Sequence, residues 1–149
     1  KRINYLEQYG FYESKQMSSR ESLSLDEIKI MSSNVDFQSH SVTHPILTKC
    51  DLDKVNYEIN ESMKFLESTF KFDVYAFAYP NGNYSIREEE IIKSAGYKCA
   101  LTTDSGYNTL SSDLFRLKRI SGGMASSIIE TAVKSSGLWE KLIRTKKYV

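Results

Sequence analysis

The chain lacks most of the features that mark out a function class. Its 20 Lys and Arg against 19 Asp and Glu leave a net charge of +1 over 149 residues. That gives no electrostatic footprint for nucleic acid or an anionic membrane, so no nucleic-acid partner is expected. No apolar run approaches the roughly 20 residues of a membrane span. Two cysteines, Cys50 and Cys99, neither in a C-x-x-C pair, make no disulfide framework. They read as free thiols, with a single long-range bridge as the other option, and they leave the compartment open: cell envelope or cytoplasm. Repeats, low-complexity tracts and linkers are absent. The one tryptophan, Trp139, reads as a packing anchor before a sugar platform. The length is that of a single domain able to bury its own core, so residues 1–149 are read as one domain, with 1–20 a tail or helix. The chain starts at Lys1 without methionine or a signal-peptide pattern, and the expectation is a piece of a longer protein.

Histidine is as scarce as cysteine, and its placement is informative. The only two, His40 and His44, lie four residues apart in Phe37-Gln38-Ser39-His40-Ser41-Val42-Thr43-His44-Pro45. Imidazole is the commonest metal ligand, and this spacing lets two rings converge from a turn or a loop. Pro45 restricts the residue before it, which can preorganise such a loop. Two ligands do not close a coordination shell, since a catalytic zinc takes three protein ligands plus water. On the residues alone, a metal half-site and a pair of surface or capping histidines stand level.

The pattern along the chain alternates strand and helix. Ser24 to Glu27 is a capping box that opens a helix through Leu25, Ile28 and Met31. Val35 to Gln38 alternates and predicts a short strand that delivers the histidines at its C-terminal end. Leu52, Val55, Ile59, Met63, Leu66 and Phe70 make one apolar helical stripe with acids and lysines opposite, capped by Asp51 or Asp53. Val74 to Tyr79 predicts a strand ended by Pro80. Ser85 to Glu88 is a second capping box, opening a helix that stops at Gly96. Strands over Tyr97 to Thr103 and Phe115 to Ile120 follow, then Gly122-Gly123 and a helix through Ile128, Ile129 and Val133. Such alternation implies an α/β fold with a parallel sheet, its strands buried on both faces. Ligands of parallel sheets gather at the C-terminal ends of strands, where His40, Asn81, Thr103 and Ser121 fall.

Other features have weaker readings. The turn after Tyr79-Pro80, at Asn81-Gly82, exposes backbone N–H groups that can stabilise an oxyanion, or it is a plain turn. Arg116, Lys118 and Arg119 form a basic cluster in which Arg116 and Lys118 share a strand face, either orienting a carboxylate or lining a solvated edge. Asp104 reads as a loop cap or an acid.

Taken together, these segments resemble the polysaccharide deacetylase family, also called the NodB-homology or carbohydrate esterase family 4 domain. His40-Ser41-Val42-Thr43-His44-Pro45 resembles its H-[ST]-x-x-H-P metal-binding motif. Phe77-Ala78-Tyr79-Pro80-Asn81-Gly82 resembles the aromatic-Pro-x-Gly motif lining one wall of its groove, and Leu117-Lys118-Arg119-Ile120 the L-P-R-I strand of one branch. The resemblance covers roughly Leu23 to Ile120. It implies a distorted (β/α) barrel, incomplete at its N-terminus here. It also implies a divalent metal, usually zinc, and hydrolysis of N-acetyl groups on the amino sugars of a bacterial polysaccharide. His40 and His44 would be metal ligands, the Asn81 N–H the oxyanion donor, and Tyr79 and Pro80 substrate-binding groove residues. Arg119 would orient the base in place of the arginine that normally precedes the second motif's proline, where Phe77 and Ala78 stand. The family's T-F-D-D motif, source of the base and third ligand, has no counterpart: no Asp precedes Asp26. The late Leu-x-x-His general-acid motif is missing too. Either a truncated chain or a degenerate, non-catalytic carbohydrate-binding or scaffold domain fits that pattern. A missing barrel strand would leave unpaired edges, which favour self-association.

Overall fold

Capping sets where the first helix begins. In the computed structural model, which describes residues 22–120 and 128–137, helix α1 (Leu25–Met31) starts at Ser24. The Ser24 Oγ accepts from the Glu27 N–H at 3.2 Å, and the Glu27 carboxylate accepts from the Ser24 N–H at 2.8 Å. The chain divides into two units, Lys1–Asp36 and Phe37–Val149, and α1 lies in the first. The stretch before Arg20, Ser121 with Gly122-Gly123, and Trp139 fall outside the described residues.

The second unit holds the predicted alternation. Helix α2 (Leu52–Phe70) is capped by Asp51, whose Oδ1 accepts from the Lys54 N–H at 2.8 Å. Strand β1 (Ala76–Ala78), helix α3 (Ile86–Ser94), strand β2 (Cys99–Ser105), strand β3 (Leu117–Arg119) and helix α4 (Ile128–Ser135) follow. The three strands form a parallel sheet in the order β1-β2-β3. Helix α3 ends where glycine permits it: Gly96 sits at φ +100°. The Tyr97 N–H reaches back to the Ile92 carbonyl and the Gly96 N–H to that of Lys93, a Schellman closure. No described helix is long and apolar enough to cross a membrane. Cys50 and Cys99 are both free thiols, and burial pushes the Cys99 thiol up.

Three expectations are corrected here. Val35 to Gln38 is not a strand: only Ser39 pairs with β1, through Ser39 N–H to Ala76 O at 3.2 Å and Ala78 N–H to Ser39 O at 2.9 Å. The Gln38 side chain occupies the neighbouring positions, its Oε1 accepting from the Tyr75 and Ala76 N–H groups at 3.0 and 2.9 Å. The α2 stripe is not purely apolar. Its buried residues are Val55, Glu58, Ile59 and Ser62, whereas Leu52 is exposed. The basic cluster is split: Arg116 precedes β3 and pairs with Glu89 at 2.9 Å and Asp113 at 3.4 Å, while Lys118 and Arg119 are exposed on the strand. The core around these elements is Leu47, Val55, Ile59, Val74, Phe77, Tyr79, Ile92, Tyr97 and Ala100.

Candidate functional site

The histidine segment is anchored from below by buried hydroxyls. Ser39, immediately before His40, places its Oγ 2.7 Å from Ser62 Oγ on α2. Ser62 donates to the Ile59 carbonyl at 3.0 Å, and the Tyr97 hydroxyl donates to that same carbonyl at 3.0 Å. Ser39, Ser62 and Tyr97 are all buried, so this chain of bonds satisfies polar groups that would otherwise be costly inside. It also fixes the point from which His40 emerges.

His40 is then set by one contact. Its Nδ1 lies 2.7 Å from the Ala78 carbonyl oxygen at the end of β1. A carbonyl only accepts, so Nδ1 carries the proton and the neutral ring keeps its lone pair on Nε2. Metal-ligating histidines are tethered in this way, with the second ring nitrogen donating to a backbone carbonyl or a carboxylate. The His44 ring stands at 4.8 Å between centroids and 74° to the His40 ring. The pair therefore fits a two-imidazole half-site. Among the described residues, no cluster of three or more His, Cys, Asp or Glu side chains forms around it.

The loop between the rings is bent by two left-handed residues, Ser41 at φ 66° and His44 at φ 54°. Such a conformation costs an L-residue about 1–2 kcal/mol. His44 avoids the right-handed helical region that Pro45 disfavours, but at φ 54° it is left-handed and not in the extended region that a following proline usually selects. Ser41 Oγ accepts from the His44 N–H at 3.0 Å. Beneath the loop, Glu58 of α2 is fully buried: its Oε2 accepts from the Val42 and Thr43 N–H groups at 2.7 and 2.8 Å. Its Oε1 takes the Thr43 hydroxyl and lies 2.8 Å from Lys54 Nζ. Burial pushes the Glu58 carboxyl up, but the bonds from Lys54, Thr43 and Val42 outweigh it and hold the group at about 2. The folded value is thus below the unfolded one. The stabilisation from ionised Glu58 is complete above about pH 4.5 and is lost as pH falls towards about 2. The protection of the Val42 and Thr43 amides, taken relative to their intrinsic exchange rate at each pH, is accordingly expected to hold down to about pH 4.5 and to fall below it. Protection that holds unchanged to pH 2 would contradict this assignment.

The second motif forms the other side. After β1, Pro80–Gly82 makes a single tight turn, closed by the Gly82 N–H on the Tyr79 carbonyl at 2.9 Å. Asn81 is exposed and left-handed (φ 55°), and its N–H has no acceptor among the described residues. Tyr79 and Pro80 are buried. The Tyr79 hydroxyl donates to Phe115 O at 3.1 Å, its ring stacks on Tyr84 at 4.7 Å, and burial pushes its phenol above the usual range. Gly82 packs directly on Thr103, which lies inside β2, not at its end. The Asp104 N–H is taken by the Thr102 hydroxyl at 3.1 Å. Arg119 is exposed on β3. The structure therefore brings together His40, His44 and the end of β1 that leads into Asn81, the first through the Ala78 carbonyl. The residue beneath the histidine loop that sequence reasoning missed is Glu58. Its signal was present: position 58 falls with 55, 59 and 62 on one helical face.

Comparison with known proteins identifies the family and the fold. The polysaccharide deacetylase family profile matches residues 7–100. The Streptococcus pyogenes deacetylase PplD, solved in complex with acetate, superposes with a TM-score of 0.71 at 28% identity, over 80% of this chain and 53% of that one. A Bacillus anthracis protein described as a polysaccharide deacetylase gives 0.67 at 30% identity, over 76% and 36%. A polysaccharide deacetylase from Bacillus cereus gives 0.67 at 27%, over 80% and 38%. The chain thus spans about half the length of the first of these structures and less of the other two. No curated protein matches. With a mixed α/β fold shared with these enzymes and a profile match over more than half its length, the chain belongs to the polysaccharide deacetylase family.

Proposed function

We propose that this chain is part of a single metal-dependent deacetylase domain, a distorted (β/α) barrel, that hydrolyses N-acetyl groups on amino sugars of a bacterial polysaccharide. The observation that carries the reading is the His40 tether to the Ala78 carbonyl. It presents Nε2 as a ligand and links the histidine loop to the turn at Asn81. His40 and His44 would hold a divalent ion, zinc by the family resemblance, since imidazole donors alone also suit other transition metals. When bound, such an ion supplies Lewis-acid polarisation of the acetyl carbonyl and a more acidic water. Asn81 then donates its uncommitted N–H to the carbonyl oxygen as negative charge develops there. Tyr79 and Pro80 form the backing of the groove wall, and Arg119 steadies the carboxylate that accepts the proton. That carboxylate and the third ligand are an aspartate pair for which this chain has no residue ahead of Asp26.

The test is zinc titration by calorimetry with acetate release from N-acetylated chitooligosaccharides, on this chain and on a version extended upstream. His40→Ala and His44→Ala are each expected to weaken zinc binding by at least about tenfold. The extended version is expected to bind more tightly and to release acetate. Tight stoichiometric binding that survives His40→Ala would sink the metal assignment. His40-dependent binding without acetate release from either version would favour the non-catalytic carbohydrate-binding reading.

A further inference from the structure

Beyond the two ligands, we propose that Glu58 is the positioning residue that holds the His40–His44 loop in its bent form and so sets the separation of the two rings. The inference rests on the reading above for the histidines' role as ligands. Its own grounds are geometric. Glu58 lies on α2 and is 0% exposed. A buried carboxylate is tolerated only when its lone pairs are used. Here the bonds reach into the histidine loop: one oxygen takes two successive backbone N–H groups, Val42 and Thr43, and the other takes the Thr43 hydroxyl. Only Lys54, one turn back along α2, is local.

The residues it grips are also the informative ones. Val42 and Thr43 lie between Ser41 and His44, the two left-handed positions of the loop. Successive N–H groups converging on one anion form a cradle that fixes the local backbone. The charge that fills the cradle comes from inside the protein, so the loop is preorganised before any metal arrives. The opposite wall holds the start of the segment, through the His40–Ala78 bond and the pairing of Ser39 with Ala76 and Ala78, and does not reach Val42 or Thr43. Without Glu58, two successive N–H groups lose their acceptor, and across the two left-handed turns only the bond from the His44 N–H to Ser41 Oγ remains. Glutamine is isosteric but provides one acceptor oxygen where the carboxylate uses two. Its NH2 would face the Lys54 ammonium or the two N–H groups, so Glu58→Gln fails in part and Glu58→Ala completely.

The experiment compares Glu58→Gln with Met63→Ala, a packing change on the same helix, by amide exchange in the metal-free chain and by zinc titration. In Glu58→Gln, exchange at Val42 and Thr43 is expected to quicken roughly tenfold or more. Exchange in the core of α2, at Ile59, should hold. Zinc affinity is expected to fall about 10- to 100-fold, and in Met63→Ala to stay within about twofold of the parent. Unchanged exchange at Val42 and Thr43, or an equal loss of affinity in Met63→Ala, overturns the proposal. If the unsubstituted chain shows no His40-dependent zinc binding, the metal reading falls. The exchange measurement then still decides whether Glu58 holds the loop.

Discussion

Gly82→Ala is expected to destabilise the chain by about 2–5 kcal/mol, read as a lower urea midpoint at unchanged slope. Two costs combine. Gly82 sits at φ +73°, where an L-residue loses about 1–2 kcal/mol. A Cβ there would also lie 2.0 Å from Thr103 Oγ1 and 2.8 Å from Thr103 Cβ. Rotating the threonine moves its hydroxyl but not its Cβ, so backbone must shift, at about 1–3 kcal/mol for overpacking. Gly96 provides the internal comparison: it is also left-handed, at φ +100°, but an added Cβ meets nothing within 4 Å. Gly96→Ala should therefore show the conformational cost alone. If the two substitutions are equally harmful, close packing of the turn on β2 is not what glycine serves at position 82. If Gly82→Ala is the worse, the aromatic-Pro-x-Gly motif ends in glycine because the turn must lie flat on β2 to aim Asn81.

What could be read from the sequence, and what could not, divides along the range of the interactions. Capping boxes at Ser24 and Ser85 and the stop at Gly96 are local chemistry, and α1 and α3 begin and end where those residues place them. The histidine pair and the Pro80-Asn81-Gly82 turn were equally visible, being residue types at short spacing. The tether of His40 was not, because its partner is a backbone carbonyl 38 positions away, and a carbonyl leaves no mark in the sequence. Val35 to Gln38 alternates as a strand should. Yet the Gln38 amide occupies the N–H groups of Tyr75 and Ala76 that a strand would need, and only Ser39 pairs. Glu58 falls among the acids that the sequence puts opposite the apolar stripe, and Ser62 carries no signal of its own. They are buried because a bent loop and a serine beside it need partners inside. Charge likewise misled at Arg116, where the acids it meets come from α3 and the loop before β3, out of sight of a strand-face argument.

Phe77→Ala is expected to have the other large effect, about 3–5 kcal/mol, the range for removing a buried phenylalanine. Phe77 is 0% exposed. Its ring meets Tyr79 at 5.9 Å and Tyr97 at 5.4 Å between centroids, both edge-on, an arrangement that adds to simple burial. Against a total stability of about 5–15 kcal/mol for a domain, that loss is a large fraction. Phe65→Ala, at a side chain that is 55% exposed, should cost far less, within about 1 kcal/mol. The consequence for the site follows from where Phe77 sits. Its strand pairs with β2 on one side and with Ser39 on the other, and its neighbour Ala78 supplies the carbonyl that His40 bonds. Loosening the core at Phe77 therefore releases both ends of the histidine tether together. In Phe77→Ala the His40 ring is expected to lose its single-tautomer 15N signature at temperatures where Phe65→Ala keeps it. Should Phe77→Ala cost its several kcal/mol while that signature stays intact, the tether depends on Ser39 and its partners Ser62 and Tyr97, and β1 is not what holds the first histidine in place.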